Sequence, residues 1–311
     1  VKTGLLRVGV IGLGQWGRHH ARVLASLPGV ELAGVVDLDP REVEAVSARY
    51  GVRGYLDHRE LIGRVDAVSI AVPTVDHYRV ARDFLEAGVH TLVEKPMTAT
   101  VEEAERLAIL ASRQGTVILV GHVERFKPAV QRLRSFVAEP LFIHARRVRP
   151  YDPNRIMDVG VVLDLMIHDL DIVLSLVAER VVEVSAVGVR VHNDHEDLAV
   201  AHLVTESGCR MTLTASRVSA VKATELEITM PDRSVHLDYL REVISIRHFN
   251  GEVQRLVMDG EEPLRAEIAH FVACVQGLER PLVSADDGLR AIRVSHRLLR
   301  EMVDITPRVH A

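Results

Sequence analysis

The sequence predicts an α/β protein in two parts: a parallel sheet covered by helices, then an α/β region with a large open, mainly antiparallel sheet. Three observations carry this. The chain has 311 residues, about twice the size of one domain. Through roughly the first 120 residues, short runs that are apolar throughout alternate with amphipathic stretches, which is how strands buried on both faces and their covering helices read. Beyond Gly121 the runs alternate apolar and polar residues and are separated by turn-like pairs.

Taken in order, Leu5–Ile11 is the first strand, and a Gly-rich turn follows it. Gln15–Leu27 has helical spacing, with Trp16, Ala21, Val23, Leu24 and Leu27 as its apolar positions, and stops at Pro28-Gly29. Strands recur at Glu31–Val36, Ala67–Val72, His90–Glu94 and Val117–Val120, with helices over Arg41–Tyr50, Val75–Ala87 and Val101–Gln114. After Gly121 come a helix over Pro128–Val137, an extended segment over Leu141–Arg149 and a very apolar helix over Val161–Val177. Val184–Val191, Leu198–Thr205, Arg210–Ser216, Thr224–Thr229 and Val243–Arg247 read as strands of hairpins, punctuated by Ser207-Gly208 and Asn250-Gly251. Helices over Leu264–Gln276 and Ala285–Val303 close the chain. The change of pattern divides it at residues 1–122 and 123–311.

A composition of 48% hydrophobic and 26% charged residues is that of a globular protein with a large core. The net charge of −5 argues against a nucleic-acid partner. Cys209 and Cys274 are the only cysteines, too few for a zinc ribbon or a disulfide scaffold, and they suit a reducing compartment. No run approaches the roughly 18 apolar residues of a membrane span, and Val1-Lys2-Thr3-Gly4 has no apolar signal core. The expectation is a soluble, cytoplasmic protein with no membrane partner.

Gly12-Leu13-Gly14-Gln15-Trp16-Gly17 matches G-x-G-x-x-G between a strand and a helix, with Asp37 at the end of the second strand. Gly12 permits the tight turn, Gly14 lets the backbone approach a pyrophosphate, and Gly17 allows close helix–strand packing. The helix start offers N–H groups to the phosphates. This context makes the first part a Rossmann dinucleotide-binding domain. Asp37 can accept hydrogen bonds from ribose hydroxyls and repel a 2′-phosphate, and Leu38 and Asp39 offer no Arg to receive one, so NAD is expected over NADP. Asp39 reads as a helix N-cap before Pro40.

Glu94-Lys95-Pro96 ends a buried strand at the carboxyl edge of the sheet, where ligands of open α/β sheets bind. Lys95 there either stabilises negative charge on a substrate oxygen or pairs with Glu94. The apolar helix bears on this choice. At 100° per residue, with Asp164 at zero, His168 lies at about 40°, Asp171 at about −20° and Ser175 at about 20°, while Asp169 leaves the line at about 140°. A narrow polar line on an apolar helix needs partners or a cavity. Asp164 and His168, four apart, suit a carboxylate that orients an imidazole base, or else a structural pair. His192-Asn193-Asp194-His195 reads as a polar loop lacking a third ligand, so no metal site is expected. His19 and His20 are open between cofactor contact and packing.

Together these residues resemble the Gfo/Idh/MocA oxidoreductase family (glucose–fructose oxidoreductase, inositol dehydrogenase and relatives). The matching pieces are Gly12–Gly17, Ala71-Val72-Pro73-Thr74 with His77, Glu94-Lys95-Pro96, Gly121-His122-Val123-Glu124-Arg125-Phe126 and Asp164-Leu165-Met166-Ile167-His168-Asp169. The resemblance implies an NAD-binding Rossmann domain followed by a substrate-binding domain whose open sheet mediates a homo-oligomer, a dimer or tetramer. It implies cofactor contacts from Gly12, Gly14, Gln15, Trp16, Gly17, Asp37, Val72, Pro73, Thr74, His77, Glu94 and Lys95. It also implies Lys95, Asp164 and His168 as the catalytic group, and substrate contacts from Arg125, Arg147, Arg155 and His168.

The segment from Arg146 to Gly160 resembles the branch containing UDP-N-acetylglucosamine 3-dehydrogenases. The family's frequent Gly-Gly pair before the catalytic helix is reduced to Gly160. Arg146, Arg147, Arg149 and Arg155 can supply charge for a diphosphate, although strand alternation separates Arg146 from Arg147. A basic strand paired with acidic neighbours reads equally well. The expected activity is hydride transfer from a sugar hydroxyl to NAD, on a UDP-N-acetylhexosamine. The alternatives are an inositol or free-sugar dehydrogenase, and a non-catalytic dinucleotide-binding sensor.

Overall fold

In a computed structural model of the chain, residues 4–153 and 159–306 are described. They form two compact units. Val1–Phe126 with Glu261–Leu289 make the first, and Lys127–Gly260 with Arg290–Ala311 the second.

The first unit contains β1 (Leu6–Ile11), α1 (Gln15–Leu24), β2 (Val30–Val36), α2 (Pro40–Tyr50), β3 (Gly54–Tyr55), β4 (Ala67–Ile70), α3 (Thr74–Glu86), β5 (His90–Glu94), α4 (Val101–Gln114) and β6 (Ile118–Gly121). The six strands are parallel, in the order β3-β2-β1-β4-β5-β6. This doubly wound order reverses between β1 and β4, and a ligand crevice forms outside the carboxyl ends of the strands at such a reversal. Apolar residues on both faces of the strands explain the arrangement: Val8, Val10, Ala67, Val68, Ile70, Leu92 and Val93 are all fully buried. The helix ends follow local chemistry. Asp39 caps α2 by accepting from Arg41 N at 2.9 Å, with Pro40 in the first turn. Thr100 and Glu103 close a capping box on α4.

The second unit contains α5 (Pro128–Leu133), β7 (Phe142–Val148), α6 (Ile167–Val177), β8 (Val181–Val189), β9 (Leu198–Thr205), β10 (Arg210–Ser216), β11 (Ala223–Thr229), β12 (Arg233–Asp238), β13 (Val243–His248) and β14 (Val253–Val257). Two further helices follow, α7 (Pro263–Val275) in the first unit and α8 (Ala285–Glu301), which begins in the first unit and continues into the second. β15 (Met302–Asp304) completes the nine-stranded sheet, in the order β14-β13-β12-β11-β7-β10-β9-β8-β15.

Most of that sheet is antiparallel, but β7 runs parallel to β10, and β15 parallel to β8. The hairpins at Ser207-Gly208 and Asn250-Gly251 form as expected, with both glycines at positive φ, 87° and 100°. β12 and β14 were not among the expected strands. β14 is an almost wholly exposed edge and lacks the alternation of a strand with one covered face, whereas β12 does alternate, with Val235 and Leu237 fully buried, over only two apolar positions. The expected single helix over Val161–Val177 is instead a π-helical turn, Val162–Met166, running into α6. Odd-numbered residues of β7 point to the side that α6 covers: Ile143 and Ala145 are fully buried there. α7 joins the first unit because Leu264, Ile268, Phe271 and Val272 form a buried stripe, with the helix packed on α1 and on the turn Val123–Phe126.

Candidate active site

In the first unit the loop between β1 and α1 has the geometry of a phosphate cradle. Gly12 sits at φ 88°, and a Cβ there would lie 2.5 Å from the carbonyl oxygen of Ala71. A Cβ on Gly17 would lie 1.7 Å from the Gly12 carbonyl oxygen, so α1 can approach the loop only with glycine there. Around Gly14 a Cβ would meet nothing within 4 Å, which leaves room for a ligand. Gly14 also starts α1 without any side-chain cap, so the first-turn amides face outward for an anion. Gln15 and Trp16 are exposed at this end. Asp37, partly exposed beyond β2, accepts from Leu13 N at 2.6 Å and from Asp39 N at 2.9 Å. Its carboxylate thus holds the loop in place while keeping lone pairs for a ribose. These residues fit a bound dinucleotide.

The next predicted residues converge on the same sheet edge. The buried ring of His77 spans two loops, with Nδ1 2.8 Å from Pro96 O and Nε2 2.9 Å from Val72 O. It therefore ties the Val72-Pro73-Thr74 segment after β4 to the Lys95-Pro96 segment after β5. Lys95 is partly exposed at that edge. The Glu94 side chain turns inward, receiving His20 Nε2 at 3.0 Å on Oε1 and Lys95 N at 3.2 Å on Oε2. Gly121 on β6 makes room for it, since a Cβ there would come within 3.2 Å of the Glu94 carboxyl. His20, left open between cofactor contact and packing, is fully buried, with Nδ1 2.6 Å from Ser69 Oγ. His19 is exposed.

In the second unit Asp164 lies in the π-helical turn and His168 in the first turn of α6, both partly exposed among buried Val162, Leu165, Met166 and Ile167. Single π turns occur often at functional sites and widen the local spiral, so the 100° wheel holds only from Ile167 onward. The start of this turn is held by Glu196, which accepts from Val162 N at 3.0 Å through Oε1 and from Val161 N at 3.0 Å through its carbonyl. A Cβ on Gly160 would sit 2.1 Å from that carboxyl group, so the single glycine is required by the cap. Arg149 Nη2 lies 3.7 Å from Asp164 Oδ2.

The arginines fare differently. Arg147 is gripped by Asp169, at 3.0 and 2.9 Å through Nε and Nη2, and the Asp169 side chain is only 2% exposed. The acid that leaves the polar line thus faces the sheet and takes up Arg147. Arg146, on the opposite face of β7, stands 3.9 Å from Glu225. Arg125 is buried in the first unit and donates to Leu282 O at 3.1 Å. Arg155 lies outside the described residues. Both cysteines are buried, and burial pushes each thiol up to about 11, which makes them poor nucleophiles.

Comparison with known proteins decides the family. Residues 6–122 match the oxidoreductase family with an NAD-binding Rossmann fold, and residues 133–236 match the GFO/IDH/MocA C-terminal domain. The chain belongs to the GFO/IDH/MocA oxidoreductase family. Among GFO/IDH/MocA relatives, the UDP-N-acetylglucosamine 3-dehydrogenase of Acidithiobacillus ferrooxidans is 39% identical over 78% of this chain and 77% of its own. The solved structure of that species' enzyme superposes with a TM-score of 0.91 at 34% identity, covering 96% and 98% of the two chains. The scyllo-inositol 2-dehydrogenase (NAD(+)) of Bacillus subtilis is 26% identical over 91% of this chain and 90% of its own. Among the described residues no helix is long and apolar enough to cross a membrane.

Two residues of this GFO/IDH/MocA chain escaped the sequence reading. Glu196 caps the turn that carries Asp164, and no local signal marks it. Glu267 in α7 is fully buried beside Glu94 and His20, the ligating atoms of the three lying within 4.8 Å of one another. That one had a signal: an acid within the apolar stripe Leu264, Ile268, Phe271 and Val272 sits on the inward face.

Proposed function

We propose that the protein is an NAD-dependent dehydrogenase that oxidises the 3-hydroxyl of a UDP-N-acetylhexosamine. The observation that carries this reading is the 39% identity to a UDP-N-acetylglucosamine 3-dehydrogenase over most of both chains. NAD, when bound, supplies the hydride acceptor. The α1 amides hold its pyrophosphate, and Asp37 accepts from the ribose while disfavouring a 2′-phosphate. Lys95 donates to the oxygen being oxidised and stabilises the charge that grows there as its proton leaves. His168 takes that proton on its ring, and Asp164 sets the orientation of the imidazole and supports its positive charge. Arg147 is matched to Asp169 and Arg149 stands 3.7 Å from Asp164, so both arginines already serve acids of the segment 162–177.

The test follows NADH absorbance with a panel of UDP-linked sugars, free sugars and inositols, and then identifies the product. UDP-N-acetylglucosamine should reduce NAD, and the keto carbon should be C3. Lys95→Met and His168→Ala should each lower kcat by about 10²-fold or more. Turnover of inositols alone would move the assignment to the inositol dehydrogenases. Near-normal turnover in either variant would remove that residue's role.

A further inference from the structure

The first unit holds a buried acid that the proposed reaction does not use. Glu267 on α7 is fully buried, and neither of its carboxyl oxygens has a hydrogen-bond partner. It stands with His20 of α1 and Glu94 of β5, their ligating atoms within 4.8 Å of one another. Glu94 already receives two donors, the His20 ring and the amide of Lys95. Two ionised carboxylates this close and this dry do not coexist, so the pair keeps one proton. The donors on Glu94 favour its charged form, which leaves the proton on Glu267.

We propose that Glu267 is a neutral carboxylic acid that aims its proton at the Glu94 carboxylate and so acts, through Glu94, as a positioning residue for Lys95. The part concerning Lys95 rests on the function proposed above; the protonation does not. Burial and the charge on Glu94 both push the Glu267 carboxyl well above its usual range. Burial raises Glu94 too, but His20 and Lys95 outweigh it and hold Glu94 below its usual value. Other titratable groups on the packed elements are Arg18, His19 and Arg22 on α1, His122, Glu124 and Arg125 after β6, and Arg265 and His270 on α7 itself. Several of them are turned to other partners: Arg18 pairs with Glu42, Arg22 with Glu262 and His270 with Glu279.

The charge arrangement suits one placement device. Ionised Glu94 pulls on the Lys95 amide only while Glu267 supplies the proton that offsets its burial. If Glu267 ionises, Glu94 takes up the proton or moves, and the backbone of Lys95 loses its anchor. A misplacement of this kind lowers kcat more than it weakens NAD binding.

The test uses the full-length protein with Glu267→Gln and Glu267→Met. Infrared spectra at neutral pH should show a buried protonated-carboxyl stretch that both variants lose. Wild-type stability should fall as pH rises from the ordinary carboxylate range to the raised folded value, because the folded state holds the extra proton. Both variants should lack that fall. Glu267→Met should fold yet lose about tenfold or more in kcat, with the KM for NAD nearly unchanged. Glu267→Gln, which still donates, should recover most of that loss. A spectrum without the band, or a Met variant as active as wild type, overturns the proposal. So does a stoichiometric divalent metal in the purified protein whose chelation abolishes the band-free fold, since the three residues would then be its ligands. Normal turnover in Lys95→Met, with the band intact, removes the Lys95 role and leaves protonated Glu267 standing.

Discussion

Replacing Asp37 by Asn tests the nucleotide site most directly, because the change is nearly isosteric and removes one charge. Asp37 has two kinds of work. It accepts from Leu13 N at 2.6 Å and Asp39 N at 2.9 Å, and its remaining lone pairs face the side where a ribose binds. The amide keeps one acceptor oxygen, so one of the two backbone bonds is lost. A hydrogen bond to a charged group is worth about 1.5–3 kcal/mol, and the ribose bonds weaken as well. NAD should therefore lose about tenfold in kcat/KM, at 1.4 kcal/mol per tenfold. For NADP the charge contribution has the opposite sign. Two unit charges 4 Å apart repel by about 1 kcal/mol in water and about 4 kcal/mol at an effective dielectric of 20, so removing one favours NADP by about fivefold or more. The lost backbone bond weakens the loop for both cofactors, so the ratio of kcat/KM for NAD over NADP should fall by about fivefold or more, from the charge alone, when both are assayed with the same sugar. Comparable use of both cofactors by the wild type, or an unchanged ratio in a folded variant, would refute the role of Asp37.

Three further outcomes are expected. Gly17→Ala should abolish NADH binding in a fluorescence titration, since its Cβ would stand 1.7 Å from a backbone oxygen that cannot move without breaking the cradle. Arg147→Met takes the bidentate guanidinium from the buried Asp169 carboxylate, and should cost about 3–5 kcal/mol in urea denaturation, much of it recovered by adding Asp169→Leu; a loss below about 1 kcal/mol would show the pair to be dispensable. The third outcome concerns acid. Burial raises the Asp197 carboxyl, but the amides of His192 and Val191, with Arg217 and Asn193, outweigh it and hold the group well below its usual range. The folded state then releases this proton more readily than the unfolded one. The stability Asp197 contributes is present above the ordinary carboxylate range and is lost as pH falls from there through the depressed folded value, so Asp197→Asn should flatten the acid limb of a stability–pH curve.

Much of the fold could be read from local pattern. Strands buried on both faces, the Gly12–Gly17 turn and the Asp39 cap follow from residue type and short spacing, and all form as expected. The polar line on the apolar helix was legible in part: Asp164, His168 and Ser175 stay partly exposed, whereas Asp171 is buried. Its geometry was not, because a wheel assumes one helical period and the Val162–Met166 turn departs from it. β14 escaped because an edge strand without a covered face has no alternation to show.

Sequence by itself determined what depends on the residue and its near neighbours: the parallel sheet, the phosphate turn, Asp37 at the end of β2, and an acid and an imidazole on a greasy helix. Tertiary structure alone decided the pairings. It assigned α7 to the first unit, gave Arg147 to Asp169, and brought Glu267 beside Glu94 and His20. The reason is physical. Periodicity reports which face of a segment is apolar, whereas a buried charge takes its partner from whichever distant segment closes against that face.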